Sequence, residues 1–440
     1  MHTSAMIAEF LGRMARQPGA GGAGVRPCGL ADDISDGVFA VPDPSPFSPS
    51  PDGPDALGGP DESGAATPRA WAGALGAPVA AADISFLAAG EYHENWLVRA
   101  KAGPVVLRIN RGGAAGSQLG LADQISYEYR VLHALARCGA TPRPLALAPA
   151  ALPGGDAAGG NVADGPDASC AMSGGALLMQ WLPGRPLDYR TDAPHAARVF
   201  AAVHATPVPP SVQLPPPGPV PHVVPPGVLV AQPDPLAAIV AESSALLDRH
   251  VGHPLAPRMI HARHALLGYR DRVARLAGDT RHLFAGEVQV IANTEVNSGN
   301  FLVHAGGGAD TPGVTGFAAP CGAWLVDWEK AVVTTRYQDL GHFLAPTTTL
   351  WKTDFTFDAA SRAAFLEAYR TALRLAGQPV PDAGECAAKA DVMVRAVLLR
   401  GLSWCLMAWH EYAGGGRALA HADTLRTIER YLGNIAWFLR

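Results

Sequence analysis

The chain has little cysteine, and what it has is scattered. Cys28, Cys138, Cys170, Cys321, Cys386 and Cys405 show neither C-x-x-C spacing nor a disulfide-like rhythm, so no zinc or disulfide framework is expected. That usage fits a reducing cytoplasm. Dense runs of Lys and Arg are also missing, and the formal net charge of -5 leaves no basic footprint for nucleic acid. The opening MHTSAMIAEFLGRMAR lacks a long apolar core and carries Glu9 ahead of its arginines, which argues against a secretory signal and leaves room for a short amphipathic helix. Ala396 to Trp409 is the most apolar later stretch. It is interrupted by Arg400 and is shorter than the roughly 20 apolar residues that span a bilayer, so no membrane partner is expected.

With 440 residues and 48% hydrophobic content, the chain can bury a large core in two lobes. Residues 1–80 are read as a disordered Gly/Pro/Ala-rich leader, because runs such as VPDPSPFSPSPDGPD bury too little surface to offset the entropy of ordering them. Folded structure is expected from about Asp83. Residues 81–182 then form a first lobe, beginning with a three-strand antiparallel meander over Ile84–Leu87, Trp96–Val98 and Val105–Ile109 and a hairpin at Ala102-Gly103. A helix from Ser117 to Arg137 places Glu128 on its packed face. A carboxylate there needs a partner, and Arg108 at the end of the third strand is the candidate. Strands are expected at Leu145–Leu147 and Ala176–Trp181, on either side of a Gly/Ala-rich loop insertion at 151–175. Residues 183–440 form a second, helical lobe with a proline-rich connector at 207–235.

Within that lobe, residues 290–330 carry the chemistry. An apolar lead runs into the polar loop of VIANTEVNSGNFLV, and a later apolar strand delivers Asp327 in WLVDWEK. A carboxylate, a carboxamide and a second carboxylate brought together suit phosphoryl transfer, with one group for the acceptor hydroxyl and two for magnesium. The interval from Glu295 to Asn300 equals that from Asp to Asn in the kinase loop H-R-D-x-x-x-x-N, and Asp327 follows where a metal-binding Asp should. Asn293 stands where that loop has His, and Glu295 where it has Asp.

Taken in order, GEYHENWLV, VVLRINRG, ISYEYRVLHAL, LLMQWLPGRPL, AARVFAAVHATP, NTEVNSGNFLV and LVDWEKAVVTTRYQDLGHFL resemble the aminoglycoside phosphotransferase and choline kinase-like family, over roughly Asp83 to Tyr412. The resemblance implies an α/β protein-kinase-like two-lobed fold, a small antiparallel-sheet lobe joined to a larger helical one. It implies ATP, or GTP in its place, with Mg2+, and a small hydroxyl-bearing acceptor of aminoglycoside, aminoalcohol or sugar type. Gly90 would begin the loop over the phosphates, although G-x-G-x-x-G is absent. Arg108 would steady the phosphates with Glu128 orienting it, and Met179, Gln180 and Trp181 would form the hinge that meets the base. Glu295 would act at the acceptor, with Asn293 bracing its loop through backbone hydrogen bonds. Asn300 and Asp327 would hold the metal, and Asp339 would brace the catalytic loop.

Plainer roles stand beside these. Arg108 and Glu128 read equally as a structural ion pair, His204 and His342 as core histidines, and Cys405, Trp404, Trp409 and Tyr412 as core packing. Two departures in one loop also keep open a nucleotide-binding pseudokinase, or an interaction module whose proline-rich stretches recruit partners.

Overall fold

The computed structural model describes residues 2–16, 62–90, 93–111, 119–150, 174–213, 224–225, 227–304, 321–415 and 422–440. The chain begins with α1 (His2–Met14), α2 (Glu62–Ala65) and α3 (Pro68–Leu75), then builds β1 (Ile84–Ala89), β2 (His93–Ala100) and β3 (Gly103–Asn110). Next come α4 (Gln124–Ala134), β4 (Pro144–Ala148) and β5 (Ala176–Gln180), which close an antiparallel five-stranded sheet in the order β1-β2-β3-β5-β4.

Both faces of this sheet are covered, and β3 shows why. Successive side chains on a strand point to opposite faces. Val105, Leu107 and Ile109 therefore face outward, into a cluster with Trp96, Val98, Ile7, Leu11, Trp71 and Leu75. Val106 joins the inner core with Leu177, Met179 and Ile125. Arg108 shares that inner face.

The outward cluster corrects the leader reading. Residues 17–61 lie outside the described part, but the segments on either side are helices packed on the sheet. Thr67 caps α3 by accepting from Ala70 N, Pro68 opens the helix, and Gly76 ends it at φ 69°. Trp71 is fully buried and its Nε1 donates to Leu147 O at 3.2 Å. The bare apolar face of the sheet is what holds these helices in place.

The helical lobe contains α5 (Ala193–His204), the two-residue strands β6 (Val212–Gln213) and β7 (Leu229–Val230), α6 (Pro235–Asp248) and α7 (Ile260–Thr280). There follow β8 (Gln289–Ala292), β9 (Phe301–Val303), β10 (Ala323–Leu325) and β11 (Val332–Thr335). The chain ends with α8 (Tyr337–Leu344), α9 (Pro346–Lys352), α10 (Ala359–Leu375), α11 (Ala383–Ala413), α12 (Ala422–Gly433) and α13 (Ile435–Phe438).

Several boundaries differ from expectation. The helix expected over 117–137 is described only over Gln124–Ala134, where Asp123 caps it, and residues 112–118 lie outside the described part. The hairpin turns at Lys101-Ala102, since Ala100 pairs with Gly103. Residues 151–173 of the expected insertion, and 214–223 and 226 of the connector, also lie outside the described part. β8 pairs with β11, a strand that the apolar run did not signal, while β9 pairs with β10. Helix α11 is long and apolar enough to cross a membrane by length and composition, with 72% of its most apolar window buried inside the protein.

Candidate active site

Arg108 is the hub of the contact between the sheet and the β8–β11 loops. Its Nε lies 2.8 Å from Glu128 Oε2, and its Nη2 reaches Asp327 Oδ1 at 2.5 Å and Glu329 Oε2 at 3.2 Å. Nη1 reaches Asn95 Oδ1 at 3.4 Å, on the strand that follows the Gly90 turn. Burial disfavours the guanidinium, but Glu128, Asp327 and Glu329 outweigh it and raise its pKa, so it stays charged. Burial pushes the Glu128 carboxyl upward, with Arg108 as the main opposing influence.

Helix α4 is fastened to the segment after Asp327. Glu128 Oε1 accepts from Trp328 N at 3.1 Å, Gln124 Nε2 donates to Glu329 O at 3.3 Å, and Tyr127 donates to Ala331 O at 2.7 Å. The expected strand–helix pair is therefore also a pair between the lobes.

The loop from Asn293 to Asn300 is fixed from below. Asp339 accepts from Asn293 N at 3.0 Å and from Thr294 N at 2.8 Å, and His204 Nε2 lies 3.2 Å from the same carboxylate. His342 Nδ1 accepts from Val296 N at 3.0 Å, and Arg400 donates to Thr294 O at 2.7 Å. His204 is buried and His342 half-buried, and both hold this loop. Asn293 ties two loops together, donating to Asp327 O at 2.7 Å and accepting from Glu295 N at 3.0 Å. Among the described residues, only Thr294 and Asp327 combine a side chain with a left-handed backbone, each at φ 67°. For a β-branched threonine that conformation is costly, about 1–3 kcal/mol, and it persists where surrounding bonds over-determine it.

Glu295 ends in an ion pair with Lys330 Nζ, and Lys330 is itself buried. Burial raises the Glu295 pKa, which Lys330 partly offsets, whereas Lys330 is held charged against burial by Glu295 and Glu329. His93 Nδ1 pairs with Glu329 Oε2, and His93, Lys330 and Arg108 overcome burial to keep Glu329 ionised. Asn300 Nδ2 donates to Glu295 O at 2.8 Å, leaving its carboxamide oxygen as the atom a hard cation would take.

Ligand oxygens of Glu295, Asp327 and Glu329 lie within 4.8 Å of one another. A set of hard oxygen donors fits Mg2+. Four carboxylates (Glu128, Glu295, Asp327 and Glu329) share this site with Arg108, Lys330 and the His93 imidazole.

Reading the sequence overlooked Glu329, Lys330 and His93. Their signal was the charged tail of VDWEK and the histidine before Asn95. Met179 and Gln180 end β5 and Trp181 follows it, with the Gln180 N–H donating to Arg143 O at 2.9 Å. Gly90 is exposed and its N–H donates to His93 O at 2.9 Å, while residues 91–92 lie outside the described part. Trp409 and Tyr412 are buried in the core, whereas Trp404 is half-buried and meets Trp351 edge to face at 5.8 Å.

A small antiparallel sheet, a larger helical lobe and a cluster of carboxylates where they meet define a protein-kinase-like two-lobed fold. The chain belongs to the phosphotransferase enzyme family, whose profile matches residues 83–380, more than half of its length. Similar solved structures include an ethanolamine kinase from Plasmodium vivax, with 10% identity and a TM-score of 0.49 over 80% of this chain and 83% of that one. A choline kinase from Cryptosporidium parvum Iowa II has 10% identity and a TM-score of 0.44 over 82% and 91%. A thermostable mutant of the aminoglycoside phosphotransferase APH(4)-Ia, in ternary complex with AMP-PNP and hygromycin B, has 16% identity and a TM-score of 0.45 over 81% and 93%. No curated protein matches the chain by sequence.

Proposed function

We propose that the chain transfers the γ-phosphate of ATP, or of GTP in its place, to a hydroxyl of a small molecule in a Mg2+-dependent reaction in the cytoplasm. The observation that carries this reading is the meeting of Arg108 with Glu128 and Asp327 beside the Glu295 loop. Asp327, Glu329 and the Asn300 carboxamide would hold Mg2+, which when bound neutralises charge on the phosphate oxygens. Arg108 binds phosphate oxygens through its planar fork, and Glu128 keeps that fork aimed. Glu295 orients the acceptor hydroxyl and takes its proton as the new O–P bond forms and the bond to the leaving nucleoside diphosphate breaks. Asn293 fixes where Glu295 leaves the backbone.

The acceptor classes to test are aminoalcohols, sugars and aminoglycosides, the three that the family resemblance implies. The deciding experiment follows ADP release with Mg-ATP across a panel of these three classes. Acceptor-dependent release supports transfer, and release that no acceptor stimulates counts against it. One observation favours a second reading, nucleotide binding without turnover: the Glu295 carboxylate is tied to Lys330. Under that reading Mg-ATP raises the melting temperature while no acceptor stimulates ADP release.

A further inference from the structure

The carboxylates of Glu295, Asp327 and Glu329, whose ligand oxygens lie within 4.8 Å of one another, already have a cation of the chain's own among them. Lys330 Nζ pairs with Glu295 Oε1 and stands 3.9 Å from Glu329 Oε1. The lysine side chain is only 10% exposed, against 34% for that of Glu295. Burial works against its charge, and Glu295, Glu329 and Asp327 outweigh burial. The same three acids that would take Mg2+ are thus the ones that hold this ammonium.

The backbone leaves that ammonium little freedom. Thr294 Oγ1 donates to Lys330 O at 2.9 Å, and Tyr127 on α4 donates to the next carbonyl, Ala331 O, at 2.7 Å. Upstream, Asp327 turns the segment at φ 67° and its carbonyl accepts from Asn293 Nδ2 at 2.7 Å. The carboxylate oxygens divide between two kinds of cation. Asp327 Oδ1 and Glu329 Oε2 meet Arg108, whereas Glu295 Oε1 and Glu329 Oε1 face Lys330. An exposed lysine paired with a surface acid needs none of this support. Lys330 is buried and held from both sides, which fixes a positive charge at the Glu295–Glu329 edge of the cluster.

Protein kinases place two Mg2+ ions on the aspartate and asparagine that correspond here to Asp327 and Asn300. A second divalent ion at the Glu295–Glu329 edge would meet the ammonium as a like charge. Mg2+ also gives up its water reluctantly, whereas a tethered lysine is present at high effective concentration without being recruited from solution. Building on the phosphotransferase reading, we propose that the Lys330 ammonium takes the place of one of two divalent ions, so that the chain holds a single Mg2+ through Asp327, Glu329 and Asn300. Glu295 is then a partner of the ammonium and not a metal ligand, which leaves its Oε2 for the acceptor hydroxyl.

The test counts Mn2+, standing in for Mg2+, by electron paramagnetic resonance on the full chain, with a nonhydrolysable ATP analogue kept below the protein concentration. The unaltered chain should hold one Mn2+ per bound nucleotide, and so should Lys330→Arg, which keeps the charge. Lys330→Met should hold two, because a neutral side chain opens the Glu295–Glu329 edge to a second ion. Adding Glu295→Gln to Lys330→Met should return the count to one. Two ions in the unaltered chain or in Lys330→Arg, one in Lys330→Met, or two in the double variant would each overturn the assignment and leave the phosphotransferase reading standing. A melting temperature that Mg-nucleotide does not shift would remove that reading, and the assignment with it. Circular dichroism checks folding. Should Lys330→Met fail to fold, Lys330→Gln, whose neutral amide can still donate to Glu295, decides the count: two ions support the assignment and one overturns it.

Discussion

Glu295 has one methylene more than the aspartate that the spacing of its loop anticipates, and its carboxylate ends on the ammonium of Lys330. The two features belong together. A longer side chain overshoots the aspartate position by about 1 Å, and an error of that size can cost on the order of 100-fold in rate unless a partner holds the group in place. Lys330 is such a partner, latched in turn because Thr294 Oγ1 donates to its backbone oxygen at 2.9 Å. Glu295→Gln keeps the shape of the side chain and removes the proton acceptor. Turnover should fall by at least about 100-fold while the Kd for Mg-nucleotide stays within about threefold. Full activity in this variant would show that Glu295 takes no part in proton transfer. Asp327→Asn should behave differently, because Asp327 both faces the metal set and holds Arg108. Its loss should appear in the binding step, as a melting temperature that no longer responds to Mg-ATP. A wild-type shift in this variant would place the nucleotide elsewhere.

At the scale of elements, the helices before the sheet were the part of the fold the sequence disclosed least, although the signals were present. VVLRI reads as an apolar run without polar alternation, which in a strand means that both faces are covered. The inner cover, α4, lies close in sequence and was legible through the spacing of Ile125, Glu128 and Leu132. The outer cover comes from α1 and α3, on either side of a long proline- and glycine-rich stretch. Composition averaged over that stretch masked Thr67-Pro68 as a helix start and Gly76 as its end. Register was hidden for a similar reason. β11 is four residues long and its partner β8 lies 40 residues earlier by the pairing of Val332 with Ala292, a distance at which local pattern carries no pairing information. The site loops were clearer, because Glu295, Asn300 and Asp327 each stand at a strand end among turn residues. Lys330 and Glu329 were not, since a charged pair after a tryptophan looks like solvated surface until tertiary contacts bury it. Trp71→Ala tests the cover directly. Removing a fully buried indole should cost about 3–5 kcal/mol of unfolding free energy. A change below about 0.5 kcal/mol in urea denaturation would mean that α3 does not pack on the sheet in solution.

For the molecule as a whole, acid should loosen the protein through histidines that the helical lobe keeps neutral. His342 is the clearest case. Burial first, then Arg400 and Lys330, hold its pKa well below the ordinary 6.5. Neutral Nδ1 is also required by the hydrogen bond it accepts from Val296 N. The unfolded chain takes up this proton near pH 6.5 while the native chain does not, so the contribution of His342 to stability is intact above that pH. It declines as pH falls from about 6.5 toward the depressed native value, by up to about 1.4 kcal/mol per pH unit. His204 and His410, whose pKa values burial also lowers, act in the same direction. Glu128 and Glu295, raised by burial, act in the opposite one, since a carboxyl that prefers its proton in the native state stabilises the fold at low pH. Whole-protein acid sensitivity is thus a difference between opposing sets, and one substitution isolates a member. His342→Gln offers Val296 N–H a neutral carbonyl that does not titrate, and leaves every other group in place. Between pH 7.5 and 5.5 the unfolding free energy of the variant should fall less than that of the unaltered chain, by about 1 kcal/mol. Equal declines would show that His342 takes up its proton in the native state without cost.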